Sequence, residues 1–315
     1  MRGGAGAGAA PLPAPPERGD GRRPETGPAG EQIAPGRVLL DRLGGGVRYD
    51  VHLAWDERLR ALVVVKLIRP ALQNDGSTWR SLAAEAAMLE GLNHPVVPRL
   101  FDVRLDGDRP HLCIEHVEGP RLSTLLRRYG PLDIDQLVPL AVQICSALHY
   151  LSTEAVVHLD VKPSNIVMAQ TPRLIDFSVA KTTREAFALR HPVGTDAYMA
   201  PEQCDPLRLG PVSEAADMWG LGATLYEAVT ARKPFSEDPA VDTGWPQLET
   251  GPSPVDDQVP RVIGEPIMQC LSREPRDRPR PGEIGDLYEA LLQALPRSPR
   301  LGAVKAAFHP RVSRR

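Results

Sequence analysis

Residues 158–165 read His158-Leu159-Asp160-Val161-Lys162-Pro163-Ser164-Asn165, and eleven residues after Asn165 comes Asp176-Phe177-Ser178. Two acids, a lysine and an asparagine therefore fall in one short stretch. These are the residue types that phosphoryl transfer requires. Asp160 can accept the proton of an attacking hydroxyl, and Lys162 can neutralise the group in transfer. Asn165 and Asp176 offer hard oxygens to Mg²⁺, which favours such ligands and usually bridges substrate phosphates.

Working outward, the chain has 315 residues, enough for one large two-lobed domain or two small ones. Hydrophobic residues make up 42%, adequate for a sizeable core, and the formal net charge is only -3. No global field favours nucleic acid as a main partner. The cysteines, at 113, 145, 204 and 270, show neither C-x-x-C spacing nor clustering. They read as reduced, buried thiols of a cytoplasmic protein. No apolar run approaches the ~18–20 residues of a membrane span, and the N-terminus lacks the Leu-rich core of a secretory signal. The 33 prolines, with abundant Gly, Ala and Arg, suggest a GC-rich bacterial genome.

Residues 1–32 are dominated by Gly, Pro, Ala and Arg, a composition that cannot offset chain entropy, so disorder is expected there. Strands are expected over 38–43, 51–55, 62–68 and 111–116. The third is an apolar, β-branched run interrupted by Lys66. A helix is expected over 79–92, capped by Asp75 or Ser77 and ended by Asn93-His94-Pro95. Beyond residue 120 the pattern turns helical, over 137–151, from 213 or 214 to 229, and over 262–271 and 283–295. Residues 234–260 read as a long surface loop with at most one short helix. Strands first and helices second give an α+β layout, a β-rich small lobe at 33–118 and a helical large lobe at 119–295. Residues 296–315 hold six Lys or Arg and no acid, and read as a basic disordered tail.

The segments at 158–165 and 176–178 resemble the catalytic and metal-binding loops of the eukaryotic-type (Hanks-type) serine/threonine protein kinases, and the composition points to a bacterial member. That resemblance implies a two-lobed kinase fold over about 36–295, ATP and Mg²⁺ as cofactors, and protein Ser/Thr hydroxyls as acceptors. It makes Asp160 the base, Lys162 the stabiliser of transition-state charge, and Asn165 and Asp176 the metal ligands. Lys66, in Val63-Val64-Val65-Lys66, matches the lysine that holds the ATP phosphates. Glu85, nineteen residues on, matches its ion-pair partner. Gly44 and Gly46 match the first two glycines of the phosphate loop, and Val51 the valine on the adenine ring. Glu115 and Val117 match the backbone positions at the adenine edge, behind which Ile114 lines the pocket. Gly194-Thr195, Ala200-Pro201-Glu202, Asp217 and Arg278 resemble the framework of the large lobe.

Three residues depart from the family pattern. Tyr49 replaces the third glycine, where a side chain is expected to hinder close backbone approach to phosphates. Ser178 replaces glycine after Asp176-Phe177. Leu159 replaces the arginine that pairs with a phosphorylated activation loop, so little dependence on phosphate at Thr182 or Thr183 is expected. These departures motivate an alternative, a pseudokinase that binds nucleotide or partners without transferring phosphate. A third reading, a small-molecule phosphotransferase, shares the aspartate and asparagine but not the framework residues of a protein-substrate platform. Substrates, activating signal and oligomeric state are not legible.

Overall fold

The computed structural model describes residues 30–235 and 244–294. A six-stranded antiparallel sheet forms the small lobe: β1 (Gln32–Ala34), β2 (Arg37–Gly45), β3 (Tyr49–Asp56), β4 (Ala61–Ile68), β5 (Leu100–Arg104) and β6 (His111–Glu115), in the order β1-β2-β3-β4-β6-β5. Helix α1 (Gly76–Gly91) packs on it. Asp75 is the cap, its carboxylate accepting from the Ser77 and Thr78 amides, which satisfies N–H groups that have no intrahelical partner.

The period of two in β4 divides its apolar run between two faces. Val63, Val65 and Leu67 join Leu39, Ala54 and Cys113 in one small core. Val64, Lys66 and Ile68 point the other way, toward α1 and the cleft. Register confirms it: Val51 and Leu112 lie opposite Lys66, and Ile114 opposite Val64. A buried polar network ties the outer strands. Arg37 donates to Asp56, Asp102 and His111.

The large lobe contains α2 (Leu122–Tyr129), α3 (Ile134–Thr153), α4 (Thr183–Phe187), α5 (Pro201–Cys204), α6 (Pro206–Leu209), α7 (Ala215–Thr230), α8 (Pro246–Glu249), α9 (Arg261–Cys270) and α10 (Pro281–Ala294). Short antiparallel pairs frame the segments at 158–165 and 176–178: β7 (Val156–Val157) with β10 (Lys181–Thr182), and β8 (Ile166–Val167) with β9 (Arg173–Leu174). Helix α7 is buried along most of its length, and Trp219 and Tyr226 are among the largest fully buried side chains. The fold is the α+β, two-lobed arrangement expected, with a strand sheet before a helical body.

One boundary needs correction. Order was expected from residue 33, yet Gln32 is already in β1 and Gly30 donates its amide to the Leu39 carbonyl. Edge pairing to β2 fixes these residues despite their composition. The rest of the N-terminal segment and the basic tail at 296–315 lie outside the described residues. Strand β5 and helix α4 were not expected, being short and without clear periodicity. Among the described residues no helix is long and apolar enough to cross a membrane.

Candidate active site

A cavity of about 270 Å³ opens between the lobes. Leu43, Val51 and Val64 line it from the sheet, Ile114 to Val117 from the strand joining the lobes, and Val167 from below. Lys66, Glu85, Asn165 and Asp176 supply its polar wall. Most sequence-expected binding residues therefore converge on one cleft. Gly44 and Gly46 do not line it, and neither do Asp160 or Lys162.

Lys66 projects from β4 between two carboxylates, with Nζ 2.8 Å from Glu85 Oε1 and 2.9 Å from Asp176 Oδ1. Burial opposes the ammonium's charge, but Glu85 and Asp176 override it and hold its pKa above the usual lysine range. Burial likewise opposes ionisation of Asp176, yet Lys66 and the Ser178 amide keep its carboxyl well below the ordinary value. The Lys66 and Glu85 side chains are only 7% and 1% exposed, whereas that of Asp176 is 42% exposed. One carboxylate anchors the lysine; the other faces the open cleft.

Asp160 lies at the centre of a second cluster. Its Oδ1 accepts from Thr195 Oγ1 at 2.6 Å and its Oδ2 from Lys162 Nζ at 2.7 Å. Lys162 also reaches Thr195 Oγ1. Asn165 Nδ2 donates to the Asp160 carbonyl and to Oδ2, both at 2.9 Å. With its amide nitrogen committed to Asp160, Asn165 has its side-chain oxygen left to offer a cation. Asp176 Oδ1 takes Lys66, and its exposed carboxylate has a second oxygen to give. No group of three His, Cys, Asp or Glu able to hold a metal occurs among the described residues. Two hard oxygens beside an open cleft fit Mg²⁺, which binds through few protein ligands and completes its shell with water and substrate phosphates.

The loop that carries Asp160 is held from beneath. The Asp217 carboxylate accepts the His158 and Leu159 amides, each at 2.7 Å. Full burial pushes its pKa up to about 7, against those two hydrogen bonds. His158 is buried, edge-on to Phe177 at 4.7 Å, and burial lowers its pKa to about 4. Two left-handed residues give the site its shape, Leu159 at φ 66° and Asp176 at φ 70°. Such backbone is uncommon outside glycine and concentrates at functional sites.

The three departures look different in three dimensions. Tyr49 does not crowd the cleft. By strand parity its ring turns inward with Val51, packing on Ile68, Leu82 and Ala86 with its hydroxyl on the Thr78 carbonyl. The ring also lies 5.0 Å from Lys66 Nζ. Ser178 is not among the residues with positive φ, so this conformer demands no glycine there. Leu159 is buried, 3% exposed, within the large core. In the loop above, Gly44 and Gly45 both have positive φ, 151° and 152°, and Gly45 is in addition closed in by its neighbours. A Cβ on Gly45 would lie 2.4 Å from the Tyr49 carbonyl. Three successive glycines had offered no means of choosing it.

In the segment joining the lobes, the Glu115 amide already donates to the Arg99 carbonyl at 2.8 Å, so a ligand at that residue is limited to its carbonyl. The Val117 amide has no backbone acceptor among the described residues. Two side chains that sequence reasoning missed support the segment after Thr195. Gln203 and Gln247 are buried amides bonded to backbone carbonyls of that segment and its flanks.

Comparison with known proteins adds independent findings. The family model described as the protein kinase domain matches residues 38–291. The serine/threonine-protein kinase PknB of Mycobacterium leprae is 29% identical over 252 residues, covering 76% of this chain and 40% of that protein. The serine/threonine-protein kinase PkaA of Streptomyces coelicolor is 34% identical over 224 residues, covering 69% of this chain and 40% of its own. PknB of Mycobacterium tuberculosis is 28% identical over 253 residues. The chain thus spans about 40% of the length of these curated relatives.

Proposed function

The chain belongs to the protein kinase domain family, and from that premise we propose that it transfers the γ-phosphoryl group of ATP to serine or threonine hydroxyls of proteins. The observation that carries this reading is the assembled pair of clusters. Lys66 is already bound to both Glu85 and Asp176, and Asp160 is already bound to Lys162, Thr195 and Asn165.

ATP would seat its base between Val51, Val64 and Val167, against Ile114, with the Glu115 carbonyl and Val117 amide at its edge. Lys66, fixed by Glu85, would hold the phosphates. Asp160 accepts the proton of the incoming hydroxyl while Thr195 fixes its orientation. Lys162, next to Asp160, neutralises charge on the group in transfer. Asn165 and Asp176 would hold Mg²⁺, which when bound offsets phosphate charge and favours in-line geometry. The protein's part is positioning and electrostatics in a low-dielectric cleft. A threonine bridging Asp160 and Lys162 supports the serine/threonine class, as do the names of the relatives.

The test is label transfer from γ-labelled ATP with Mg²⁺ to a protein acceptor, followed by acid hydrolysis. Label on phosphoserine or phosphothreonine is the expected result. Mg²⁺-dependent ATP binding with no transfer would favour the scaffold alternative, and label on a small molecule but on no protein would favour the third reading.

A further inference from the structure

The segment from Val193 to Ala200 carries Thr195, the residue that orients Asp160. A single buried side chain closes it at both ends. Gln203, 2% exposed, donates from Nε2 to the Val193 carbonyl at 2.9 Å and to the Leu159 carbonyl at 3.0 Å. Its Oε1 accepts from the Ala200 amide at 3.0 Å. Both amide hydrogens and the oxygen are used. One end of the clamp is thus the carbonyl immediately before Asp160, and the other ends bracket the loop that holds Thr195.

The neighbouring backbone is shaped around this amide. Gly194 has φ 133°, and a Cβ there would meet the Leu159 carbonyl at 2.8 Å and Gln203 Nε2 at 3.1 Å. A side chain at 194 would displace the clamp. Gln247, also 2% exposed, adds bonds from Nε2 to the Asp196 carbonyl at 2.7 Å and to the Met199 carbonyl at 3.1 Å. The same loop therefore has two amides beneath it.

Leu159 gives this arrangement its meaning. Its apolar side chain is buried and offers no charge to a phosphate. Thr195 and the β7–β10 pair already tie this segment to the catalytic loop, and Gln203 adds a buried clamp on its backbone that needs no phosphate. Resting on the kinase reading above, we infer that Gln203 is a positioning residue that fixes the substrate-facing segment against the catalytic loop without a phosphate. It touches neither ATP nor acceptor, and acts through Thr195 and Asp160.

The experiment uses the full chain, treated with phosphatase and shown by intact mass to carry no phosphate. Gln203→Met preserves length and packing but removes both donors. Gln203→Glu retains the acceptor for Ala200 and also loses the donors. Wild type is expected to keep its transfer rate after phosphatase treatment. Both variants are expected to lose about 10- to 100-fold in kcat, as small misplacements of reacting groups do, with unchanged Mg²⁺-ATP affinity and faster amide exchange over 194–199, extending to Ala200 in Gln203→Met.

Wild-type activity abolished by phosphatase would overturn the inference. So would normal kcat in Gln203→Met, or ATP affinity falling in step with kcat, which marks a merely structural role. If the wild type transfers no phosphate under any treatment, the kinase reading fails. Exchange then decides the clamp alone: acceleration confined to 194–200 in Gln203→Met, including the Ala200 amide that loses its acceptor, supports it, and unchanged exchange refutes it.

Discussion

Two buried ion pairs, one in each lobe, use similar charges to opposite ends. Arg278 and Glu202 meet at 2.6 and 2.8 Å through two parallel bonds. The guanidinium also donates to the carbonyls of Ser272, Ala215 and Arg273, and stacks over Trp219. Every donor has a partner, so the pair is a closed lock between α5 and the segment before α10. Lys66 and Glu85 are as deeply buried but not closed. Among the described residues Glu85 Oε2 has no side-chain partner, and Lys66 divides its bonds with the half-exposed Asp176. An ion pair left incompletely satisfied beside an open cleft can accept a phosphate; a saturated one cannot. Saturation, more than burial, separates the pair proposed to hold phosphate from the one that ties the large lobe.

Breaking the closed lock should have the largest effect on stability. Arg278→Met leaves Glu202 as an uncompensated buried charge and should cost about 3–5 kcal/mol, read from the urea midpoint. Lys66→Met should instead lower phosphate transfer by about 10²–10³-fold, the range for loss of one preorganised charge-stabilising group. Its urea midpoint should move less than that of Arg278→Met, because burial already raises the Glu85 pKa so that a proton can replace the lost ammonium, whereas Arg278→Met also strips three backbone carbonyls of their donors. Equal destabilisation by the two variants would erase the distinction.

His158 sharpens the comparison through pH. Its Nδ1 accepts the Asp160 amide, and complete burial opposes a charge on the ring, so the fold favours the neutral form. With the folded pKa near 4 and an unfolded value of 6.5, the unfolded chain binds a proton first as pH falls. The His158 contribution to stability is full above pH 6.5 and declines toward pH 4, by about 3 kcal/mol at most, while buried Asp217, raised to about 7, acts with the opposite sign over the same window. His52 and His111 are lowered in the same direction by burial. His158→Phe should therefore reduce the slope of stability against pH in that window without removing it. The smallest effect concerns α4. Thr182 caps it through a reciprocal bond set with Glu185, so Thr182→Ala should cost about 1 kcal/mol. It should leave the specific transfer rate unchanged, whereas loss of activity together with a phosphate on Thr182 of the wild type would contradict the phosphate-independent segment.

What was legible in the sequence was local. Asp160, Lys162, Asn165 and Asp176 sit at short spacings that chemistry alone can interpret. Lys66 stood out because a charge inside an apolar strand needs a partner, but only the resemblance to the kinase family singled out Glu85 as that partner. The α+β layout followed from strand-like runs preceding helical ones. Gln203 was not legible, because its carbonyl partners are 44 and 10 residues away and no periodicity announces a buried amide. Tyr49 is instructive in another way. Read as a replaced glycine it threatened the phosphate loop. Read by the parity of β3 it faces inward beside Val51, and the structure follows the parity.

The measurement that bears most directly on the account is the rate of label transfer at saturating Mg²⁺-ATP by wild type and by Asp160→Asn, with ATP affinity determined on the same samples. Loss of a positioned general base predicts a fall of about 10²–10⁴-fold with affinity unchanged. Equal transfer by the two proteins would contradict the role of Asp160 and with it the reading of this cleft as a kinase active site.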